Sequence, residues 1–282
     1  MDRELELEFK KYLVDEGDLS WNTIRQYYEL IKQLPDTIYP DNPTLIKEIN
    51  LFLALKKKNS DKDLRGHYYA VKKLLSSWER KELLYLLVNV KKSKRRKFGH
   101  YVDDLQLLEK MCSSIKNIHF QMAAFVQLYT GMRAQEVLSL RSKNITIDAD
   151  GGLILQNIGK GGKTITTYIP AKLVERTGID AFLETYKIIE YPFIKKKTAD
   201  SFQNFRTQYI YYFKAVKEAA KRVGIESFST HDFRRNFITR LFQKGYDIEI
   251  VRQLAHHTNI NNTLRYKKES PVDFKKITEE LY

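Results

Sequence analysis

The run 144-NITIDADGGLILQNIGKGGKTITTYIPA-171 differs in kind from the rest of this 282-residue chain. Its apolar and polar residues alternate around glycine-rich turns, the period-two spacing that places successive side chains on opposite faces of a strand. It predicts a small antiparallel sheet. On either side, apolar residues recur every three or four places. "DDLQLLEKMCSSI" and "HFQMAAFVQLYTGMRAQEVLSL" before it predict helices, as do 171–190, 202–222, 232–244, 247–254 and 260–266 after it. "SPVDFKKITEEL" at the end predicts one more helix, with Ser270 as N-cap, Pro271 at the first helical position and Asp273 completing a capping box. Its Phe274, Ile277 and Leu281 form one apolar stripe, suited to its own core or to a neighbouring subunit.

Further upstream, residues 3–88 predict a bundle of about four short helices. "ELELEFKKYLV" is amphipathic, and "SWNTIRQYYELIKQL" offers Ser20 or Asn22 as N-cap. Pro35, Pro40 and Pro43 interrupt the chain, and "TLIKEINLFLALKKK" and "LRGHYYAVKKLLSSWERKELLYLL" follow. Then comes "KKSKRRK", Lys91 to Lys97, with six basic residues in seven. Such a run is either a solvated linker or a tether lying along phosphates, and it marks a boundary. The expectation is a mainly α protein. A helical unit spans 1–90, a basic linker 91–100, and a mostly helical unit with one small antiparallel sheet 101–282.

The formal net charge of +14 attracts polyanions, and nucleic acid leads because Lys and Arg recur along the whole length. No apolar run approaches the roughly 18–20 residues of a spanning helix, and "MDRELELEFKKYL" is too charged for a secretory signal. The single cysteine, Cys112, excludes an internal disulfide or a Cys-rich zinc site and suits a reducing cytoplasm.

Five pieces of the second unit carry candidate chemistry. In "TGMRAQE", Arg133 and Glu136 lie three apart, on one helical face if helical. "IGKGGKT" presents Lys160 and Lys163 on a tight turn but lacks the Walker spacing and is followed by a strand. In "HDFRRNFITR", His231 and Arg234 share a helical face, while Arg235 and Arg240 point elsewhere. The last two are the pair His256–His257 and Tyr266. A metal is not expected: there is no HExxH pattern, nearby cysteine or acidic third ligand. Two arginines, a lysine, histidines and a tyrosine are what phosphodiester cleavage by a protein nucleophile requires. A tyrosine hydroxyl, with a pKa of about 10, needs a base or a positive field. Fixed guanidinium groups stabilise the pentavalent transition state, and a lysine can protonate the leaving oxygen.

In this order the pieces resemble the tyrosine recombinase (phage integrase and Xer-like) family across 101–282. "TGMRAQEVLSL" is similar to its first-arginine box, which implies Arg133 as a phosphate clamp supported by Glu136. "IGKGGKTITTYIPA" resembles the hairpin bearing the catalytic lysine, implying Lys160 rather than Lys163. "STHDFRRNFITRLFQKGYDIEIVRQLAHH" resembles the second box, implying catalytic roles for His231 and Arg234. Family spacing to the nucleophile, Tyr266 in "NINNTLRYKK", selects His257 over His256, which stands where the family usually has glycine. "NTIRQYYELIKQL" resembles the opening of the N-terminal SAM-like core-binding domain. The resemblance implies a clamp around double-stranded DNA and a transient 3′-phosphotyrosine, with no ATP, metal or other cofactor. It also implies a synaptic homotetramer that exchanges C-terminal helices, and phosphate contacts from Lys91, Lys92, Lys94, Arg95, Arg96 and Lys97. The competing readings are a type IB topoisomerase and a DNA-binding relative without catalysis.

Overall fold

The structure, a computed structural model, describes residues 3–16, 19–58, 64–88, 101–158, 164–194 and 202–266 and falls into two units, Met1–Lys97 and Phe98–Tyr282. The first holds α1 (Arg3–Asp15), α2 (Trp21–Ile31), α3 (Leu45–Lys58), α4 (Arg65–Ser77) and a 3-10 turn at Lys81–Leu86. Ser20 rather than Asn22 caps α2, its hydroxyl accepting the Thr23 N–H at 3.3 Å. Each helix turns one apolar stripe inward, and Phe9, Leu13, Ile24, Ile31, Ile49, Leu53, Leu74 and Leu75 close a core of their own. The basic run at Lys91–Lys97 lies outside the described residues.

In the second unit, α5 (Leu105–Ser113) is capped by Asp104, which accepts the Leu107 N–H at 3.0 Å. It leads into α6 (Ile118–Thr130), which is buried on nearly every side. A helix apolar all round belongs at the centre of a fold, and elements from before and after it in the chain pack against it. The short α7 (Ala134–Leu138) follows. The alternating stretch forms the expected sheet, with β1 (Ile145–Ile147), β2 (Leu153–Ile158) and β3 (Thr164–Ile169) antiparallel in sequence order. Leu153 and Leu155 face the core, and Leu153 pairs with Ile169. The last β2–β3 pair, Ile158 with Thr164, brackets 159–163, so Lys160 and Lys163 lie outside the described residues.

The helix expected over 171–190 is two helices, α8 (Ala171–Thr177) and α9 (Ile179–Thr185). Gly178 takes a left-handed φ of 64° and ends α8, so the apolar periodicity continues past a break that it does not register. Then come α10 (Phe202–Arg222), α11 (Thr230–Gln243), α12 (Ile248–Leu254) and α13 (Ile260–Leu264). Helix α11 begins two residues earlier than expected because Ser229 and Asp232 form a capping box, with the Asp232 carboxylate accepting the Ser229 N–H at 2.8 Å. The C-terminal helix expected after Ser270 lies outside the described residues.

Gly131 ends α6 with φ 66°, and a Cβ there would lie 2.4 Å from Cδ1 of Phe237 on α11. Glycine is thus required twice, for its backbone and for the close approach of two helices. Gly131→Ala is expected to destabilise the second unit by about 2–4 kcal/mol, as left-handed strain plus overpacking. Denaturant unfolding measures this, and a change near zero would contradict the packing described.

Candidate active site

Residues from α7, α11, the end of α12 and α13 converge beside the Gly131 junction. Arg133 is not on a helical face with Glu136, as the spacing suggested. It is the N-cap of α7, with an extended backbone, and Glu136 is the third residue of that helix. Arginine has no acceptor to offer the helix end, so capping runs one way. The Glu136 carboxylate accepts the Arg133 backbone N–H at 2.7 Å and its guanidinium at 2.6 Å. Glu136 is buried whereas Arg133 is partly open, so the acid anchors the base of a guanidinium whose remaining N–H groups are available. Asn157 on β2 donates to the Glu136 carbonyl, tying the sheet to this turn.

Arg234 on α11 is the most buried charge in the unit, with 1% of its surface exposed. Its Nη1 donates to the Gly131 carbonyl at 2.9 Å and its Nη2 to the Ala255 carbonyl. Burial, followed by the charge of Arg133, lowers its pKa to about 10 against the opposing pull of Glu136 and Tyr266, so it stays charged at neutral pH. His231 lies one turn before it, and its Nε2 is 3.5 Å from the Tyr266 hydroxyl. Although His231 reaches solvent, crowding by the protein and the charge of Arg234 lower its pKa. Asp232 opposes this shift, and Arg133 and Arg235 add to it.

The histidine pair lies beyond α12 rather than on it. The His256 N–H bonds the Gln253 carbonyl at 2.9 Å and the His257 N–H bonds the Arg252 carbonyl at 3.0 Å, the two bonds of a Schellman ending. That ending needs a left-handed residue, and His256 supplies it with φ 50°. This is the physical reason a glycine is expected at the position. Histidine is among the side chains that tolerate the region, at about 1–2 kcal/mol of strain. His257 turns inward, its Nδ1 2.9 Å from the Thr263 hydroxyl on α13. Arg252 donates to the His257 carbonyl at 2.7 Å. Burial and the charges of Arg234 and Arg133 pull the His257 pKa down to about 4.

Tyr266 lies one residue beyond Arg265, the C-cap of α13. Its ring is nearly parallel to that of His257, at 18° and 6.2 Å between centroids. The Arg235 guanidinium lies 5.6 Å from the Tyr266 centroid. Arg235 therefore does not point away, as the helical spacing suggested, but holds the tyrosine ring by a cation–π contact. Arg240 does point elsewhere, donating to the Val102 and Asp103 carbonyls at 2.9 and 3.3 Å.

The structure thus brings together Arg133, Glu136, His231, Arg234, His257 and Tyr266, with His256 behind them. Among the described residues no group of three His, Cys, Asp or Glu side chains could hold a metal ion. Several supports escaped the sequence reading. Gln127, wholly buried, donates to the carbonyls of Met132 and Thr230 at 3.0 Å each and accepts the Tyr212 hydroxyl at 2.8 Å. It joins the segment bearing Arg133 to the start of α11. A polar residue inside "MAAFVQLYT" was the available signal. Thr263 and Arg252 gave no comparable sign.

A family model described as "Phage integrase family" matches residues 101–271. Tyrosine recombinase XerA of Pyrococcus horikoshii is 26% identical over 276 residues, which cover 97% of this chain and 92% of that protein. XerA of Thermococcus onnurineus is 30% identical over 163 residues, 55% of this chain, and the chain spans about half the length of that relative (53%). Among solved structures, a lambda integrase dimer bound to a COC′ core site shares the fold, with a TM-score of 0.64, 17% identity and 97% of both chains covered.

His231, His256 and His257 all have folded pKa values below the usual histidine value of about 6.5. The unfolded chain therefore binds more protons than the folded one below that pH. Their contribution to stability is complete above about 6.5 and is lost as pH falls below it, for His257 through its folded value of about 4. The melting temperature is expected to drop between pH 7.5 and 5, and His257→Gln to shrink that drop. A melting temperature constant over this window would contradict rings held neutral in the folded site.

Proposed function

Because the chain belongs to the phage integrase family, we propose that it is a site-specific DNA recombinase acting through a transient 3′-phosphotyrosine at Tyr266. The observation that carries this reading is the convergence of two guanidinium groups and two neutral-leaning histidines on one tyrosine. Arg133 and Arg234 clamp the non-bridging oxygens of the scissile phosphate and carry the charge that grows in the pentavalent transition state. Glu136 holds Arg133 in place. The Tyr266 oxygen attacks phosphorus and its proton passes to His231 Nε2, the base nearest the hydroxyl. The bond to the 5′-oxygen breaks, and Lys160 gives that oxygen its proton. His257, with Nδ1 engaged by Thr263, offers its other ring nitrogen to the phosphate.

The 5′-hydroxyl of the partner strand then attacks the phosphotyrosine, and each proton returns to its donor. One phosphodiester replaces another, so the exchange needs neither ATP nor a metal. The unit spanning 1–90 binds duplex DNA together with the catalytic unit, and Lys91, Lys92, Lys94, Arg95, Arg96 and Lys97 contact its phosphates. Synapsis joins four copies, with Phe274, Ile277 and Leu281 docking on a neighbour. A recombinase acting on duplex DNA works in the cytoplasm, and this is the location proposed for the protein. Among the described residues no helix is long and apolar enough to cross a membrane.

Tyr266→Phe is expected to abolish the covalent adduct on a nicked suicide substrate while leaving DNA affinity within about twofold, since only the attacking oxygen is removed. An adduct formed by that variant would refute the assignment. Affinity is also expected to fall with salt at a log–log slope of about −0.9 per phosphate contacted. A flat response in a titration from low to physiological salt would contradict a phosphate clamp.

A further inference from the structure

Two buried side-chain atoms lack a hydrogen-bond partner among the described residues: Nε of Arg234 and Nε2 of His256. Arg234 reaches the residue next to His256: its Nη2 donates to the carbonyl of Ala255. The Arg234 charge is also the strongest electrostatic influence on the His256 ring, ahead of Glu136 and Arg133. An arginine Nε–H is an obligatory donor, and Nε2 of a neutral histidine protonated on Nδ1 is an acceptor. The site therefore holds a buried donor without an acceptor and, when His256 carries its proton on Nδ1, a buried acceptor without a donor.

His256 also keeps a left-handed backbone that glycine would adopt without strain. A strained residue whose polar ring edge is buried and unsatisfied calls for a functional reason. Packing alone supplies none, because the Schellman ending is made by backbone groups and would be intact with glycine.

We propose that His256 is a positioning residue for Arg234: when a phosphate occupies the clamp, His256 Nε2 accepts the Arg234 Nε–H. The guanidinium is then fixed by three acceptors, the Gly131 carbonyl, the Ala255 carbonyl and His256. Of its five N–H bonds, one on each Nη remains, and together they form the fork that grips two phosphate oxygens. The inference rests on reading the site as a phosphoryl-transfer centre and adds to it a residue outside the set assigned by resemblance. Burial and the two nearby arginines favour the neutral ring that the bond requires.

The test compares the full-length wild type with His256→Gly and His256→Asn. Asparagine tolerates the left-handed region and offers an acceptor oxygen, whereas glycine relieves strain and offers none. With the site saturated by vanadate, which mimics a pentavalent phosphate, nitrogen-resolved NMR should show the Arg234 Nε–H protected from exchange in the wild type and His256→Asn. In His256→Gly it should be unprotected. Single-turnover cleavage of nicked DNA should fall about tenfold in His256→Gly at unchanged DNA affinity and recover to within about threefold in His256→Asn. The glycine variant should nonetheless melt about 2–4 °C higher. Protection or cleavage equal to wild type in His256→Gly overturns the proposal, as does failure of His256→Asn to restore them. A wild type that forms no Tyr266 adduct overturns the recombinase reading instead, and the NMR comparison still decides for or against His256.

Discussion

A charge that cannot reach water must be held by the protein, and Arg234 is that charge. Its guanidinium is closed in by the carbonyls that end two different helices, Gly131 after α6 and Ala255 after α12. Carbonyls at a helix C-terminus have lost their intrahelical partners and carry the negative end of the helix dipole. The two helix ends therefore offset the desolvation of one cation, while the cation satisfies groups that would otherwise be buried and unpaired. Gly131 then bears three constraints: it ends α6, it admits Phe237, and it presents its carbonyl to Arg234. Moving any of the three elements leaves a buried charge exposed to nothing, so the geometry around the phosphate site is set by the same contacts that hold the unit together.

The electrostatics follow from that arrangement. Arg234 and Arg133 are fixed close to three imidazole rings, and each ring loses proton affinity as a result. A cationic site ready for an anion is thus also one in which histidines stay neutral, able to accept a proton or donate a hydrogen bond near pH 7. Binding a phosphate would reverse the local field, so the proton affinities of these rings and the occupancy of the site are coupled quantities.

Most elements were legible because they obey local rules. The sheet followed from alternation and the helices from period and caps, as at Ser20 and Asp104. The break at Gly178 was not legible, because apolar spacing continues through it. The chemical residues could be identified by type, but the way they meet could not. Arg133 and Glu136 do lie three apart, yet they meet through a helix cap whose extended backbone no spacing reveals. Helical geometry alone turns Arg235 away from His231 and Arg234, and it is the chain after α13 that brings Tyr266 to it. His256 was visible as an anomaly, and only its φ of 50° explains why a glycine would be expected there.

The nucleophile is carried by the least anchored element of the site. Helix α13 spans five residues and buries only Thr263, which is bonded to His257. A helix this short has almost no stability of its own, so its native position depends on that bond and on the ring contacts of Tyr266 with His257 and with Arg235. Local opening of α13 would withdraw the tyrosine and release the His257 ring in the same event, since the Thr263 hydroxyl that holds the ring belongs to the helix that precedes the tyrosine. The site therefore has a hinge finer than its domains: a single turn whose opening free energy sets how often the attacking oxygen and its neighbouring imidazole are in place together.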